Sequence, residues 1–142
     1  FLTPTINVAN IDGTVATPYI CYGLGGAYPD CTGATTPTDG IQIRVQDEGQ
    51  LGGIGAIFVS TAYFAGGLQL PGISGSVWLN PIGLTQLANF TLPAVTPSVA
   101  LTTVAPPGAI PALSGLQLTF QAVTVSSSFT NGRLTNAVSS NF

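Results

Sequence analysis

Apolar and polar residues alternate strictly in two stretches of the chain, and this alternation predicts β-strands that are buried on one face. Residues 41–46 (IQIRVQ) alternate without interruption, and residues 116–122 (LQLTFQA) do the same. In residues 123–125 (VTV) the apolar phase is reversed, which predicts a β-bulge or burial on both faces. The predicted core combines these strands with the single tryptophan and consists of Ile41, Ile43, Trp78, Leu116, Leu118 and Phe120.

Shorter apolar runs between glycines and prolines predict the remaining strands. Residues 56–64 (AIFVSTAYF) are apolar on both faces, which indicates a central strand or one whose outer face is covered. One short helical turn is predicted at residues 81–88, because Asn80 is a favourable N-cap and Pro81 suits the first helical position. Further strands are expected at residues 14–21, 76–80, 98–104 and 133–138.

The composition predicts an all-β fold in one domain. The 142 residues include 18 Gly and 11 Pro but no Lys and one Glu, so turn residues are frequent and surface helix formers are nearly absent. We expect a single β-sandwich over residues 1–142, immunoglobulin-like or jelly-roll-like, with residues 1–10 as an N-terminal donor strand or arm.

The small number of charges excludes several classes of partner. Charged residues make up 5% of the chain, against roughly 25% in an ordinary soluble domain. The cations are Arg44 and Arg133, so no basic patch can form, and neither nucleic acid nor an anionic membrane surface is an expected partner. Hydrophobic residues reach 45%, yet no stretch of about 20 continuous apolar residues predicts a membrane span. A surface this neutral is expected to be covered by other copies of the chain or by glycans.

Two cysteines predict a disulfide-closed loop. Nine residues rich in Gly, Tyr and Pro separate Cys21 from Cys31, and no second cysteine pair or histidine offers a metal site. The alternative is a pair of free thiols. A disulfide indicates an oxidising compartment, so we expect an extracellular or cell-surface protein that is exported with a cleaved signal peptide.

The chain lacks the side chains on which most catalysis depends. Without His or Lys a nucleophilic triad cannot be built, so we expect no enzyme, no cofactor and no metal site. Asp47 and Glu48 are adjacent in a predicted turn and are expected to be solvated. The other acids adjoin Gly or Pro, as turn residues do, and leave open a weak Ca²⁺ site: Asp12, Asp30 and Asp39.

Two further features concern glycans. Asn89-Phe90-Thr91 matches the acceptor pattern for N-glycosylation. The tyrosines around the cysteine loop would form a sugar-stacking or protein-contact surface, or would pack the loop onto the sheet: Tyr19, Tyr22 and Tyr28.

An ordered series of motifs in the second half resembles a known group of modules. The series runs from residues 75–81 (GSVWLNP) through residues 84–87 and 110–122 (IPALSGLQLTFQA) to residues 133–137 (RLTNA). Over residues 72–139 the chain resembles the C-terminal β-rich modules of secreted proteins from planctomycete-like and myxobacterium-like bacteria. The resemblance implies an exported sandwich domain without catalytic residues. Asn80 stands where those modules usually have an acid.

The N-terminal arm completes the functional hypothesis. Its apolar, β-prone residues include Phe1, Leu2, Ile6 and Val8, and such a terminus is expected to dock on a sheet, either of its own chain or of the next subunit. We therefore predict a structural subunit of an extracellular filament or surface layer, a homopolymer that grows by strand addition or by packing of neutral sheet faces. The alternatives are a secreted carbohydrate- or cell-surface-binding module and a metal-dependent polysaccharide enzyme.

Overall fold

The computed structural model describes residues 4–9, 20–23, 26–28, 40–106 and 108–141, and these residues form an all-β fold. Their helical residues are confined to two short 3-10 turns, Glu48–Gln50 and Ile110–Leu113. The described strands are β1 (Thr5–Ala9), β2 (Ile20–Gly23), β3 (Gly26–Tyr28), β4 (Ile41–Gln46), β5 (Ile54–Ser60), β6 (Tyr63–Leu68), β7 (Ile73–Ser74), β8 (Val77–Leu79), β9 (Thr85–Thr91), β10 (Val99–Ala105), β11 (Gln117–Val125) and β12 (Gly132–Asn141).

The strands form three sheets. A three-stranded sheet has the order β1-β4-β10, and a seven-stranded sheet has the order β3-β2-β12-β11-β5-β9 with β7 added beside β12. The strands β6 and β8 make a separate pair. All pairings are antiparallel except that of β7 with β12.

The main core lies between the three-stranded and the seven-stranded sheets, because its buried members come from both. The predicted alternation of β4 is confirmed: Ile41, Ile43 and Val45 are buried, and the residues between them are half-buried. The core cluster consists of Ile6, Val8, Ile41, Ile43, Val45, Ile57, Phe90, Leu92, Ala100, Phe120, Ala122 and Val138.

The reversed phase at the end of β11 reflects burial on both faces of the strand. Thr124 is fully buried on the core side, while Val123 and Val125 on the other face are half-buried. The register between β11 and β12 also shifts, since Gln121 pairs with Ala137 whereas Val123 pairs with Leu134. Two residues of β12 thus oppose one of β11, so the bulge is in β12.

A third layer departs from the predicted two-layer sandwich. Trp78 of β8 is buried with Ala137 in a cluster apart from the main core, so the prediction that it shares one core with Phe120 was wrong. Gln121 of β11 forms hydrogen bonds with the backbone of this layer. Its Oε1 accepts from the Trp78 amide at 2.9 Å, and its Nε2 donates to the Ser76 carbonyl at 2.7 Å. β8 therefore lies over part of the outer face of the seven-stranded sheet, against β11 and β12.

Three local predictions were wrong. The strand expected at residues 56–64 is divided into β5 and β6 by a bend at residues 61–62. The predicted helical turn at residues 81–88 is a turn followed by β9, although Asn80 Oδ1 does accept from the Ile82 amide at 3.0 Å. Leu116 is 42% exposed, because it precedes β11 and lies outside the core.

The strands predicted at residues 76–80, 98–104 and 133–138 are present as β8, β10 and β12. Of the strand predicted at residues 14–21, the structure describes the end, as part of β2. Within the described residues, no helix is long and apolar enough to span a membrane.

Candidate functional site

The first described strand, β1, lies at an edge of the three-stranded sheet. β1 pairs antiparallel with β4 from Thr5 opposite Gln46 to Ala9 opposite Gln42. It has no second strand neighbour in its sheet among the described residues. A strand in this position can be exchanged for another of the same sequence without disturbing the order of the other strands.

Alternate side chains of β1 fill the core. Ile6 and Val8 are completely buried, whereas Thr5 is exposed and Asn7 is half-buried on the opposite face. Burial of each aliphatic side chain contributes roughly 1.5–3 kcal/mol. The rest of the fold therefore contains an apolar groove, and the side chains of Ile6 and Val8 fill it.

Asn136 forms hydrogen bonds with the edge of β1 that faces away from β4. Its Oδ1 accepts from the Ile6 amide at 3.0 Å, and its Nδ2 donates to the Ile6 carbonyl at 3.4 Å. One carboxamide thus bonds both backbone groups of Ile6, as a neighbouring strand would. We call β4, the core groove and Asn136 together the β1 slot.

The bulge in β12 accounts for the position of Asn136. Thr135 Oγ1 accepts from the Ala122 amide at 3.0 Å, and the Thr135 carbonyl accepts from Gln121 Nε2 at 2.8 Å. These bonds satisfy groups that the register shift removes from the ladder. Bulges commonly redirect a side chain in this way.

A buried ion pair lies at the end of β4. Asp47 is fully buried and pairs with Arg133 Nη2 across the two sheets. The Asp47 carboxylate also accepts from Thr124 Oγ1 at 2.6 Å and from the Gly49 amide at 3.0 Å. The ion pair thus links the end of β4, which pairs with β1, to β12 in the other sheet, and the bond from Thr124 links it to β11.

The prediction that Asp47 and Glu48 are solvated was wrong. Glu48 Oε1 accepts from the Ser98 amide at 2.9 Å and from Gln46 Nε2 at 3.1 Å. Both carboxylates are thus engaged in structural hydrogen bonds. Asp47 continues the two-residue period of Ile43 and Val45, so its burial could have been read from the alternation.

An apolar cleft of about 190 Å³ separates the outer face of the seven-stranded sheet from the layer above it. Its lining includes Phe58, Leu79, Leu84 and Val123. The polar group in the lining is Gln121, and its amide already bonds Trp78, Ser76 and Thr135. Among the described residues, no group of three or more His, Cys, Asp or Glu side chains is placed to hold a metal ion.

Several predicted residues lie wholly or partly outside the described part of the chain. Cys21 is on β2, where only its backbone is described, and Cys31 is outside, so the disulfide stays a prediction. Tyr22 and Tyr28 are on β2 and β3, also without described side chains. The residues wholly outside are Phe1, Leu2, Asp12, Tyr19, Asp30, Cys31 and Asp39.

The chain matches no protein-family model, and no curated protein or solved structure is found to match it. The resemblance of residues 72–139 to secreted bacterial modules therefore stays a hypothesis.

Proposed function

We propose that the protein is a non-enzymatic structural subunit of an extracellular filament or surface layer, and that β1 of one copy enters the β1 slot of the next. The observation that carries the proposal is the construction of the slot. A short strand at the edge of a sheet supplies two fully buried core side chains and is held on both sides, by β4 and by Asn136.

The connection between β1 and the rest of the fold permits the exchange. Residues 10–19 separate β1 from β2. Ten residues span at most about 33–36 Å when extended, a distance comparable to the width of a small domain. A donated strand would make the same bonds to β4 and Asn136 as a strand from the same chain. Intramolecular and intermolecular pairing then differ mainly in the entropy of the connection.

Exchange of this kind is expected to propagate. The donor strand and the acceptor slot are different surfaces, so the contact is head-to-tail and need not close. The three-stranded and seven-stranded sheets serve in this proposal as the two layers of one sandwich, and a Cys21–Cys31 disulfide stabilises the exported domain. Labelling of unreduced, denatured protein with a thiol reagent tests the disulfide: we expect no label, and two labelled cysteines would contradict it.

Engineered cysteines distinguish pairing within a chain from pairing between chains. Asn7 of β1 lies directly opposite Arg44 of β4. Opposed residues in an antiparallel pair have Cα atoms about 4.5–5.5 Å apart, within the range of about 4.4–6.8 Å that a disulfide requires. The full-length Asn7→Cys/Arg44→Cys variant is assembled, oxidised and separated on a denaturing gel without reductant.

A ladder of covalent multimers in that gel is the expected result, because each subunit would be linked to the next. The single variants Asn7→Cys and Arg44→Cys are matched controls and should stop at dimers, with the native cysteines unchanged. A double variant that runs entirely as a monomer would show that β1 pairs within its own chain and would overturn the proposal. Negative-stain microscopy of the same samples checks that regular polymers are present.

The alternative function, a carbohydrate- or surface-binding module, depended on the three tyrosines near the cysteine loop. Their side chains are outside the described residues. The same gel and microscopy separate the two functions, since a binding module should remain monomeric and form no regular polymer.

A further inference from the structure

The tripeptide Asn89-Phe90-Thr91 lies on β9, at an edge of the seven-stranded sheet. Phe90 points inward, is 8% exposed and belongs to the core cluster. Its ring occupies the space that a side chain at Gly55 would need, with Cε2 only 2.7 Å from the position of a Cβ there. Because side chains alternate along a strand, Asn89 and Thr91 share the opposite face, and both are exposed.

The carboxamide of Asn89 is half engaged. Its Oδ1 accepts from Gln86 Nε2, and its Nδ2 has no hydrogen-bond acceptor among the described residues. Nδ2 is the atom to which an N-linked sugar is attached. Among the described strands β9 pairs with β5 alone, so the other edge of β9 is unpaired.

Asn89 stands at the rim of a shallow apolar depression on the outer face of the sheet. Asn89 lies opposite Ala56 of β5, and Ala56 in turn lies opposite Val123 of β11. In the same way, Thr91 lies opposite Ile54 of β5, and Ile54 lies opposite Val125 of β11. These residues line a depression of about 430 Å³, and the small side chain of Ala56 leaves room directly beside Asn89.

We propose that Asn89 is N-glycosylated and that the first sugars lie over this depression. The donor is a polyisoprenoid-linked oligosaccharide, and an oligosaccharyltransferase catalyses the transfer. The bond from the anomeric carbon of the sugar to the phosphate oxygen breaks, and a bond from that carbon to Asn89 Nδ2 forms. The lipid phosphate or diphosphate leaves with the bonding electron pair, and the amide loses one proton to a base of the transferase.

A glycan at this position accounts for an otherwise unfavourable surface. Ile54 is 41% exposed, and Val123 and Val125 are half-buried beside it on the outer face. The chain has only seven charged residues with which to keep its surface hydrated. A glycan would hydrate this edge and also hinder another strand from pairing with β9. This inference does not depend on exchange of β1.

The modification is tested on full-length protein secreted by a host that has an asparagine oligosaccharyltransferase. Peptide mapping by mass spectrometry should find the glycan on Asn89. Thr91→Val should abolish it although Asn89 is unchanged, and the matched variant Thr91→Ser should keep it, because serine also completes the acceptor pattern. An unmodified Asn89 in the wild type, or a glycan retained in Thr91→Val, would overturn the proposal.

The position of the sugars has its own measurement. Anilinonaphthalene sulfonate fluoresces when it binds exposed apolar surface. We expect severalfold greater dye fluorescence for folded Thr91→Val than for glycosylated wild type and Thr91→Ser. Equal fluorescence in all three proteins would mean that the glycan extends into solvent, and would refute its placement over the depression.

Discussion

Replacement of Arg133 by Met should destabilise the fold strongly, because it leaves a buried carboxylate without its counter-ion. Arg133 is 6% exposed and Asp47 is fully buried. The substitution keeps most of the aliphatic length of the side chain but removes the guanidinium group. The Asp47 carboxylate then remains in the interior without its counter-ion, and this uncompensated charge is the cause of the expected loss.

The magnitude follows from the bonds that remain. Loss of one partner from a buried ion pair costs about 3–5 kcal/mol. Asp47 keeps the hydrogen bonds from Thr124 and Gly49, so we expect the lower half of this range. With a urea m-value of about 2 kcal/mol per molar, a loss of 3–4 kcal/mol lowers the unfolding midpoint by roughly 1.5–2 M.

Urea unfolding followed by the fluorescence of Trp78 provides the assay, since this is the single tryptophan and it is buried. Measurements at two protein concentrations separate folding from association. The control is Arg44→Met, a half-buried arginine on the outer face of the three-stranded sheet, which should cost less than about 1 kcal/mol. Asp47→Asn in the Arg133→Met background should recover about 1 kcal/mol or more, because it removes the unpaired charge. The reasoning is refuted if Arg133→Met and Arg44→Met unfold at the same urea concentration.

Two further predictions concern packing. Gly55→Ala should lower the free energy of unfolding by about 1–3 kcal/mol, because the added methyl group overlaps the Phe90 ring. In the control Gly66→Ala the added methyl group meets no atom closer than 3.6 Å. Equal urea midpoints for the two variants would contradict the close packing of Gly55 and Phe90. Phe120→Ala should cost about 3–5 kcal/mol through the cavity that it leaves, whereas the exposed Leu116→Ala should cost under about 1 kcal/mol in the same assay; a small loss for Phe120→Ala would place its ring outside the core.

The alternating pattern alone was enough to predict several elements. Ile41, Ile43 and Phe120 are buried as expected, because a strand with one buried face must repeat every two residues. The all-β class followed equally from composition, since the chain has too few helix formers and too many turn residues for long helices. These inferences depend on properties of single strands and single residues.

The sequence could not reveal which strands become neighbours, and the slot depends on those neighbours. Asn136 and Ile6 are 130 residues apart, and their bonds exist because a bulge in β12 brings Asn136 beside β1. Residues 81–88 appeared helical because capping is a local property, yet pairing with β5 makes residues 85–88 part of a strand. Propensity is weak compared with the backbone hydrogen bonds and burial that a sheet supplies.

By itself, the sequence determined an all-β chain with few charges, an apolar β-prone arm and a glycosylation pattern at Asn89. The tertiary structure alone decided that Asp47 is buried opposite Arg133, that Asn136 holds β1, and that Asn89 and Thr91 share one exposed face at a sheet edge. The reason is physical: local patterns set which residues leave water, while long-range strand pairing sets which side chains they meet.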